Sequence, residues 1–363
     1  MFIQIHVLTF FVDFERYEDF HFVKDVGQVP YHASKILKYD VELWCKGFDE
    51  NIEVIDGFSL ITINSNEKTT RVSIEIIKKI IRNSGKINVL QLFHMRKYSL
   101  VYALVYKIFN PKGYVVIKCD ATDYYPNFSF FNKTILLMFL RIFINKITVE
   151  HKSWFNFFSE NNIRVEYIPN GVSELYYKDN SSIHKKSVPN MCFVGKCGDK
   201  RKNVWELINA LSRLPQDLEW CLNCVGGETD SFKIEIEKYF NLHSHSRENI
   251  FFRGFVNPNV MKELYSESHI FIMTSLSEGY PLSTIEACWM GCCPILSKNS
   301  GGNDLIKSSD GYIYEDENNL AEILQSLILN IDMAVKKGAI CSNYVKKNND
   351  WRDNIKRIAR VNS

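Results

Sequence analysis

Short apolar runs separated by longer stretches of helical spacing recur from one end of the chain to the other. This is the pattern of parallel sheets covered by helices on both faces. In the first half the runs predict strands near 2–10, 40–45, 58–64, 87–93, 114–119, 147–150 and 164–168, with buried or half-buried helices at 98–109 and 134–144. Residues 178–190, KDNSSIHKKSVPN, carry few large apolar side chains and have the composition of an exposed linker. A second alternating series then predicts strands near 191–194, 218–225, 250–253, 269–273 and 293–296. The expected layout is an α/β lobe over 1–177, a linker over 178–190, a second α/β lobe over 191–348 and a C-terminal segment over 349–363. Within that last segment 349–361 reads as an amphipathic helix. No internal repeat is present.

A chain of 363 residues suits two cores rather than one. Its 46% hydrophobic and 24% charged composition excludes disordered and fibrous classes. With 44 basic and 42 acidic residues the net charge is +2, so no global field recruits nucleic acid, which is not an expected partner. Lys336, Lys337, Lys346, Lys347, Arg352, Lys356, Arg357 and Arg360 make the C-terminal stretch basic. That stretch reads either as a solvated helix face or as a contact for an anionic membrane.

The ten cysteines are scattered, and the neighbours Cys292 and Cys293 would point to opposite faces of a strand, so a reducing compartment is the simpler account. Cys221 and Cys224 form a single CxxC with no second ligand pair, which favours packing over zinc. Residues 1–11 lack a basic leader and a cleavage site and read as a first strand. No run reaches the roughly 18 to 20 apolar residues that span a bilayer, and 134–144 is interrupted by Arg141. A cytoplasmic protein is expected.

Ligands of open parallel sheets lie outside the C-terminal ends of the strands, so the strand-to-helix turns are where chemistry is to be sought. The segment 274–287, TSLSEGYPLSTIEA, follows an apolar strand and opens a helix that ends at Gly291. It places Glu278 in the loop and Glu286 in the first turns of the helix. The amides of Gly279, Tyr280, Leu282 and Ser283 form a helix start suited to a diphosphate. Carboxylates accept hydrogen bonds from pairs of hydroxyls, as a ribose and a transferred sugar present them. Ser283-Thr284-Ile285-Glu286 equally matches a capping box, so two readings of Glu286 stand side by side.

Two glutamates separated by seven residues, Glu-Gly-Tyr-Pro-Leu at the first and Glu-Ala at the second, resemble the signature of glycosyltransferase family 4, the glycosyl transferases group 1. Gly291 to Leu296 and Ser300-Gly301-Gly302 resemble its next turn, strand and Gly-Gly run. The resemblance implies the GT-B fold: two Rossmann-like lobes facing a cleft, with a C-terminal helix crossing back to the first lobe. It implies Glu278 on the donor sugar and Glu286 on the nucleotide ribose. FFRGFV at 251–256, followed by Leu264-Tyr265, resembles the stretch beside the base and puts Phe255 there. Phe193-Val194-Gly195-Lys196, then Lys202-Asn203 and Ala210-Leu211, resembles the segment whose two basic residues hold the diphosphate. Those are Lys196 and Lys202, with Arg201 as the alternative to the second; by composition alone the cluster is a solvated loop.

The first lobe resembles the family at Ile168-Pro169-Asn170-Gly171-Val172 and departs from it elsewhere. The glycine-rich first loop is reduced to Asp25-Val26-Gly27-Gln28, which leaves Gly27 as the backbone contact for phosphate. Where the family often has two histidines, His94 stands at the first place and Lys118-Cys119-Asp120 at the second. Asp120 reads as a group for the acceptor hydroxyl or, with Asp123, as a turn cap. His94 likewise reads as catalytic or structural.

The resemblance implies a retaining transfer from a nucleoside-diphosphate sugar to a hydroxyl of a glycan or lipid-linked acceptor, in capsule, O-antigen or other envelope glycan synthesis. No metal or other cofactor is expected, since GT-B enzymes generally work without a bound divalent ion. The apolar face of 136–144 with Arg141 and Lys146 adds the expectation of peripheral contact with the cytoplasmic side of a membrane. The competing class is a paralogue that binds the nucleotide sugar, has lost catalysis and supports a partner enzyme. A glycan phosphorylase is a weaker rival, for want of a cofactor-lysine motif.

Overall fold

The structure, a computed structural model, describes residues 6–10, 19–47, 50–55, 57–65, 71–119, 130–177 and 184–359. The chain divides into two compact units. One comprises residues up to Ser173 together with those from Trp351 onward, and the other Glu174–Asp350.

The first unit holds eight strands, β1 His6–Phe10, β2 Asp40–Gly47, β3 Asn51–Ile55, β4 Phe58–Asn64, β5 Val89–Phe93, β6 Tyr114–Cys119, β7 Lys146–Val149 and β8 Val165–Tyr167. They lie in the order β3-β4-β2-β1-β5-β6-β7-β8. All pairs are parallel except β3 with β4. Successive side chains alternate between two cores: Leu90 and Leu92 of β5 join Tyr102, Tyr106 and Phe158, whereas Val89 and Phe93 join Val29, Leu43 and Ile355. Burial on both faces is why β5 is apolar at four of its five positions, Gln91 being the exception.

β3 escaped the hydrophobic pattern because it pairs on one side only and leaves Ile52 and Val54 exposed. The signal that was there is the hairpin turn: Gly57 has φ +96°, a left-handed conformation suited to the Asp-Gly that separates two alternating runs.

The helix Trp351–Ile358 places Trp351, Ile355 and Ile358 in the core of the first unit, beside the helix Asp25–Leu37. Asn354 Nδ2 donates to the Pro169 carbonyl at 2.8 Å, and Arg357 Nε to Glu166 Oε1 at 2.8 Å. Asn170-Gly171 is therefore more than a turn: a Cβ on Gly171 would lie 2.7 Å from the Trp351 backbone nitrogen.

The second unit is a six-stranded, all-parallel sheet of β9 Asn190–Val194, β10 Cys221–Val225, β11 Ile250–Phe252, β12 Ile270–Met273, β13 Cys293–Ser297 and β14 Tyr312–Tyr314. The order β11-β10-β9-β12-β13-β14 winds outward in both directions from the β9/β12 pair. The crevice at such a reversal is where doubly wound sheets bind ligands. In the first sheet the corresponding reversal lies between β1 and β5.

Of the stretch expected to be an exposed linker, 178–183 lie outside the described residues, and Lys185 and Lys186 are fastened to the second unit. Lys185 Nζ donates to the carbonyls of Met290 at 3.0 Å and Ser268, and Lys186 pairs with Glu267 at 2.8 Å. The basic C-terminal stretch is likewise split between the two units, with Lys337 paired to Asp310, Lys356 to Asp353 and Arg357 to Glu166. The ten cysteines are free thiols, and no group of three or more His, Cys, Asp or Glu gathers for a metal among the described residues. Among the described residues no helix is long and apolar enough to cross a membrane.

Candidate functional site

β12 is buried along its length and delivers the chain to the loop 274–281 at the β9/β12 reversal. Pro281, with ψ 115°, is the N-cap of the helix Leu282–Trp289, so the helix begins one residue before Ser283. This disposes of the capping box: Ser283 is already the second helical residue, and Glu286 is too far along to reach an N-cap amide. Proline fixes φ and lacks an N–H, which sets the start here. The amides of Leu282 and Ser283 lie in the first turn, where they have no intrahelical acceptor.

Glu286 turns instead to two phenols. Tyr265 donates to its Oε2 at 3.4 Å from the helix Pro258–Glu267, and the Tyr176 hydroxyl donates from a short 3-10 turn, Glu174–Tyr176. The carboxyl keeps some contact with solvent but is crowded by protein. Burial raises its pKa from 4.5 to about 7, and the two phenol hydrogen bonds offset part of that rise. Sequence reasoning missed Tyr176, whose three-residue turn carries no periodic signal.

Glu278 is largely buried and accepts from Lys202 Nζ at 2.5 Å, with Arg201 Nη1 at 3.2 Å. The two candidates for one basic position thus both reach the same carboxylate. Three further bonds stitch their loop to the glutamate's. Leu276 N donates to the Arg201 carbonyl at 2.8 Å, Thr274 Oγ1 to the Lys202 carbonyl at 2.9 Å, and Arg201 Nη1 to the Ser277 carbonyl at 3.3 Å. Lys202 crosses Gly195, where a Cβ would meet its Cδ at 3.1 Å, and Lys196 next door is exposed. Gly226, φ +131°, lies against the same turn, since a Cβ there would stand 2.4 Å from the Gly195 carbonyl oxygen. Phe255, 87% exposed, lays its ring over Gly227.

The end of β9 therefore gathers Lys196, Arg201, Lys202, Glu278 and Gly279, with Phe255 adjoining. Tyr280 is different: its ring is buried and its hydroxyl accepts from Asn349 Nδ2 at 2.9 Å, so only its backbone remains for a ligand.

In the first unit His94 ends β5 in the left-handed region, φ +63°, uncommon outside glycine. Its N–H donates to the Lys118 carbonyl at 2.8 Å and its carbonyl accepts from Ser99 Oγ at 2.9 Å. Gly27 is not a phosphate loop. It lies inside the helix Asp25–Leu37, its amide donates to the Lys24 carbonyl at 3.1 Å, and a Cβ would stand 2.5 Å from Phe22 Cα. Close packing of two helices explains that glycine. Asp120 and Asp123 lie outside the described residues.

Lys118, met in the sequence only as the neighbour of Asp120, is buried between Asp25 Oδ2 at 2.8 Å and Glu150. Burial pulls its pKa down, but the two carboxylates outweigh this and raise it. A lone lysine in the apolar strand YVVIKC was the available signal, since a buried charge requires a partner.

Residues 188–330 match the family model of the glycosyl transferases group 1. The matched stretch lies within the second unit. An alpha-galactosylglucosyldiacylglycerol synthase of Streptococcus pneumoniae is 32% identical over 90 residues, 24% of this chain and 23% of that protein. An uncharacterised 41.2 kDa protein in the cps region of Klebsiella pneumoniae is 27% identical over 180 residues, 46% of each chain. The chain thus spans less than half the length of these curated relatives.

Likeness of structure extends further. A sucrose-phosphate synthase from Thermosynechococcus elongatus (TM-score 0.74) and a glycosyltransferase from Rickettsia africae (TM-score 0.75) each cover 98% of this chain and 97% of their own at 14% identity. Anabaena HepE in complex with UDP-glucose covers 98% of both chains at TM-score 0.69 and 14% identity. At such identity the likeness establishes the fold, which is GT-B.

Proposed function

We propose that the chain transfers a sugar from a nucleoside-diphosphate sugar to a hydroxyl of a glycan or lipid-linked acceptor, with retention of anomeric configuration. The observation that carries this reading is Glu278 at the strand-end reversal of a group 1 unit, held by Lys202 and Arg201 beside a helix start. In the proposed complex Glu278 takes the hydroxyls of the donor sugar, Glu286 the ribose and Phe255 the base. Lys196, Lys202, Arg201 and the amides from Gly279 to Ser283 take the diphosphate.

The bond between the anomeric carbon and the phosphate oxygen breaks with its electron pair leaving on the diphosphate. The acceptor oxygen bonds to the same carbon from the same face, and its proton passes to the departing phosphate oxygen. Cations already aimed at that oxygen lower the barrier most. These side chains supply the positive charge, so the proposal calls for no metal. In the first unit, His94 and Asp120 are proposed as groups that act on the acceptor hydroxyl.

A membrane-linked acceptor has its own support. The helix Phe130–Phe143 buries Leu137 and Leu140 but exposes Ile135, Met138 and Ile142 along one face beside Arg141. The synthase relative is named for a glycolipid, and the Klebsiella relative belongs to a cps region. We propose that the protein works in envelope glycan synthesis at the cytoplasmic face of a membrane. Flotation with anionic vesicles checks the surface: retention of binding by a variant with Ile135, Met138 and Ile142 changed to Ser would remove this helix from the contact.

The central test is a panel of nucleotide sugars read by thermal stabilisation and then by transfer, because a ligand of the folded state alone raises stability with concentration. Glu278→Ala should retain nucleotide binding and lose transfer. Failure of every nucleotide sugar to stabilise the protein would end this reading. Stabilisation without transfer to any acceptor would favour the binding paralogue.

A further inference from the structure

Glu286 and Trp289 lie three positions apart, on one face of the helix Leu282–Trp289. Trp289 Nε1 donates to the Tyr176 carbonyl at 3.0 Å, and its ring lies against that of Tyr177 with centroids 5.2 Å apart. Lys262 Nζ donates to the Leu175 carbonyl at 3.1 Å. The turn Glu174–Tyr176 is thus held to the rest of the second unit by two of its carbonyls. The clamp drives the Tyr176 phenol inward until it is buried and its hydroxyl meets Glu286. Tyr265, also fully buried, meets the same carboxylate from the other helix.

A carboxylate offers about four lone-pair sites. Two phenols take sites on the protein side and hold the group in place, which leaves the others for a ligand. That geometry suits two adjacent hydroxyls. A carboxylate this crowded is unfavourable unless its charge is used, and a glutamine would make comparable bonds to the phenols at less desolvation. The arrangement is thus built around the charge rather than around the packing.

We propose that Tyr176 and Tyr265 are positioning residues which, through Glu286, make the site select a ribose diol over a deoxyribose. The proposal rests on the reading of Glu286 as the ribose group. Tyr176 lies three residues beyond Ser173, the last residue of the first unit before the crossing, so the strand of chain joining the units is itself part of the selection.

The experiment is calorimetric titration of the full chain with UDP, GDP, ADP and CDP and the 2′-deoxy form of each. For whichever base binds, the native protein should prefer the ribo form about tenfold or more, the scale of one hydrogen bond to a charged group. Tyr176→Phe and Tyr265→Phe keep the ring and its packing. Each should cut the preference about threefold or more while leaving the affinity for the deoxy form in place. Glu286→Ala should abolish the preference, and Tyr176→Phe added to Glu286→Ala should change nothing further.

If Glu286→Ala abolishes the preference but both phenylalanine variants keep it, the phenols are structural and the proposal fails while the ribose role stands. If Glu286→Ala keeps the preference, the ribose role of Glu286 fails and the proposal with it. Equal weakening of both nucleotide forms by Tyr176→Phe, with an unchanged ratio, also overturns it.

Discussion

Changing Glu286 to Gln removes a titrating carboxyl and nearly conserves shape. Its pKa is raised from 4.5 to about 7 by burial, so the folded protein holds this proton more tightly than the unfolded chain does. For an acid shifted upward, stability falls as pH rises between those two values, and the full penalty is present above the higher one. A rise from 4.5 to about 7 corresponds to about 3 kcal/mol. Partial contact with solvent reduces that to about 1 to 2 kcal/mol. Glu286→Gln should therefore be the more stable protein at pH 8, with the melting of the second unit raised by about 3 to 6 °C. The advantage should vanish toward pH 4.5.

Calorimetry across pH 5 to 9 is the assay, and one other group must be separated in it. His269 accepts from the Asn190 N–H, and burial lowers its pKa from 6.5 to about 4. Its contribution is fully present above 6.5 and lost as pH falls toward 4, the opposite slope. Because His269 is common to both proteins, subtracting one curve from the other isolates Glu286. A difference independent of pH, or a less stable Gln variant at pH 8, would refute the reasoning.

Lys202→Ala should lower transfer about 10- to 100-fold and Arg201→Ala less, since Lys202 lies nearer Glu278 and Arg201 is exposed; steady-state kinetics at saturating donor would read the order. Lys118→Met should destabilise the first unit by about 3 to 5 kcal/mol in urea unfolding, because two carboxylates are left facing each other in the core. Adding Asp25→Asn and Glu150→Gln should recover most of that loss. Gly171→Ala should displace the Trp351 backbone and release the last helix, with earlier cleavage there in limited proteolysis as the readout.

Legibility in the sequence divides along physical lines. Central strands such as β5 and β12 announced themselves because burial on both faces favours apolar residues, at every position of β12 and all but Gln91 of β5. Glu278 and its loop were legible because the β12-to-helix turn is local, whereas the ion pairs that Lys202 and Arg201 make with Glu278, across more than 70 positions, were not. β3 was hidden by a solvent-facing edge. The partnership of Glu286 with two phenols was hidden for another reason: Tyr265 lies 21 positions away and Tyr176 much farther, each in a different element from Glu286. Local pattern offered a cap in their place, and Pro281 moved the helix start so that no cap forms. Gly27 misled in the same way, because the space it vacates is filled by Phe22 and not by a ligand.

The seating of Trp351, Ile355 and Ile358 in the first unit's core has a consequence for synthesis. Asn354 meets Pro169 across 185 positions, so the first sheet emerges from the ribosome with one side of its core still unmade. At roughly 5 to 20 residues per second the gap lasts on the order of ten seconds or more, during which the Val26, Val29 and Ala33 face of its first long helix waits for cover. The whole of the second unit is translated in that interval, before the missing helix is made. The core of the first unit is complete only once residues beyond 350 have been made.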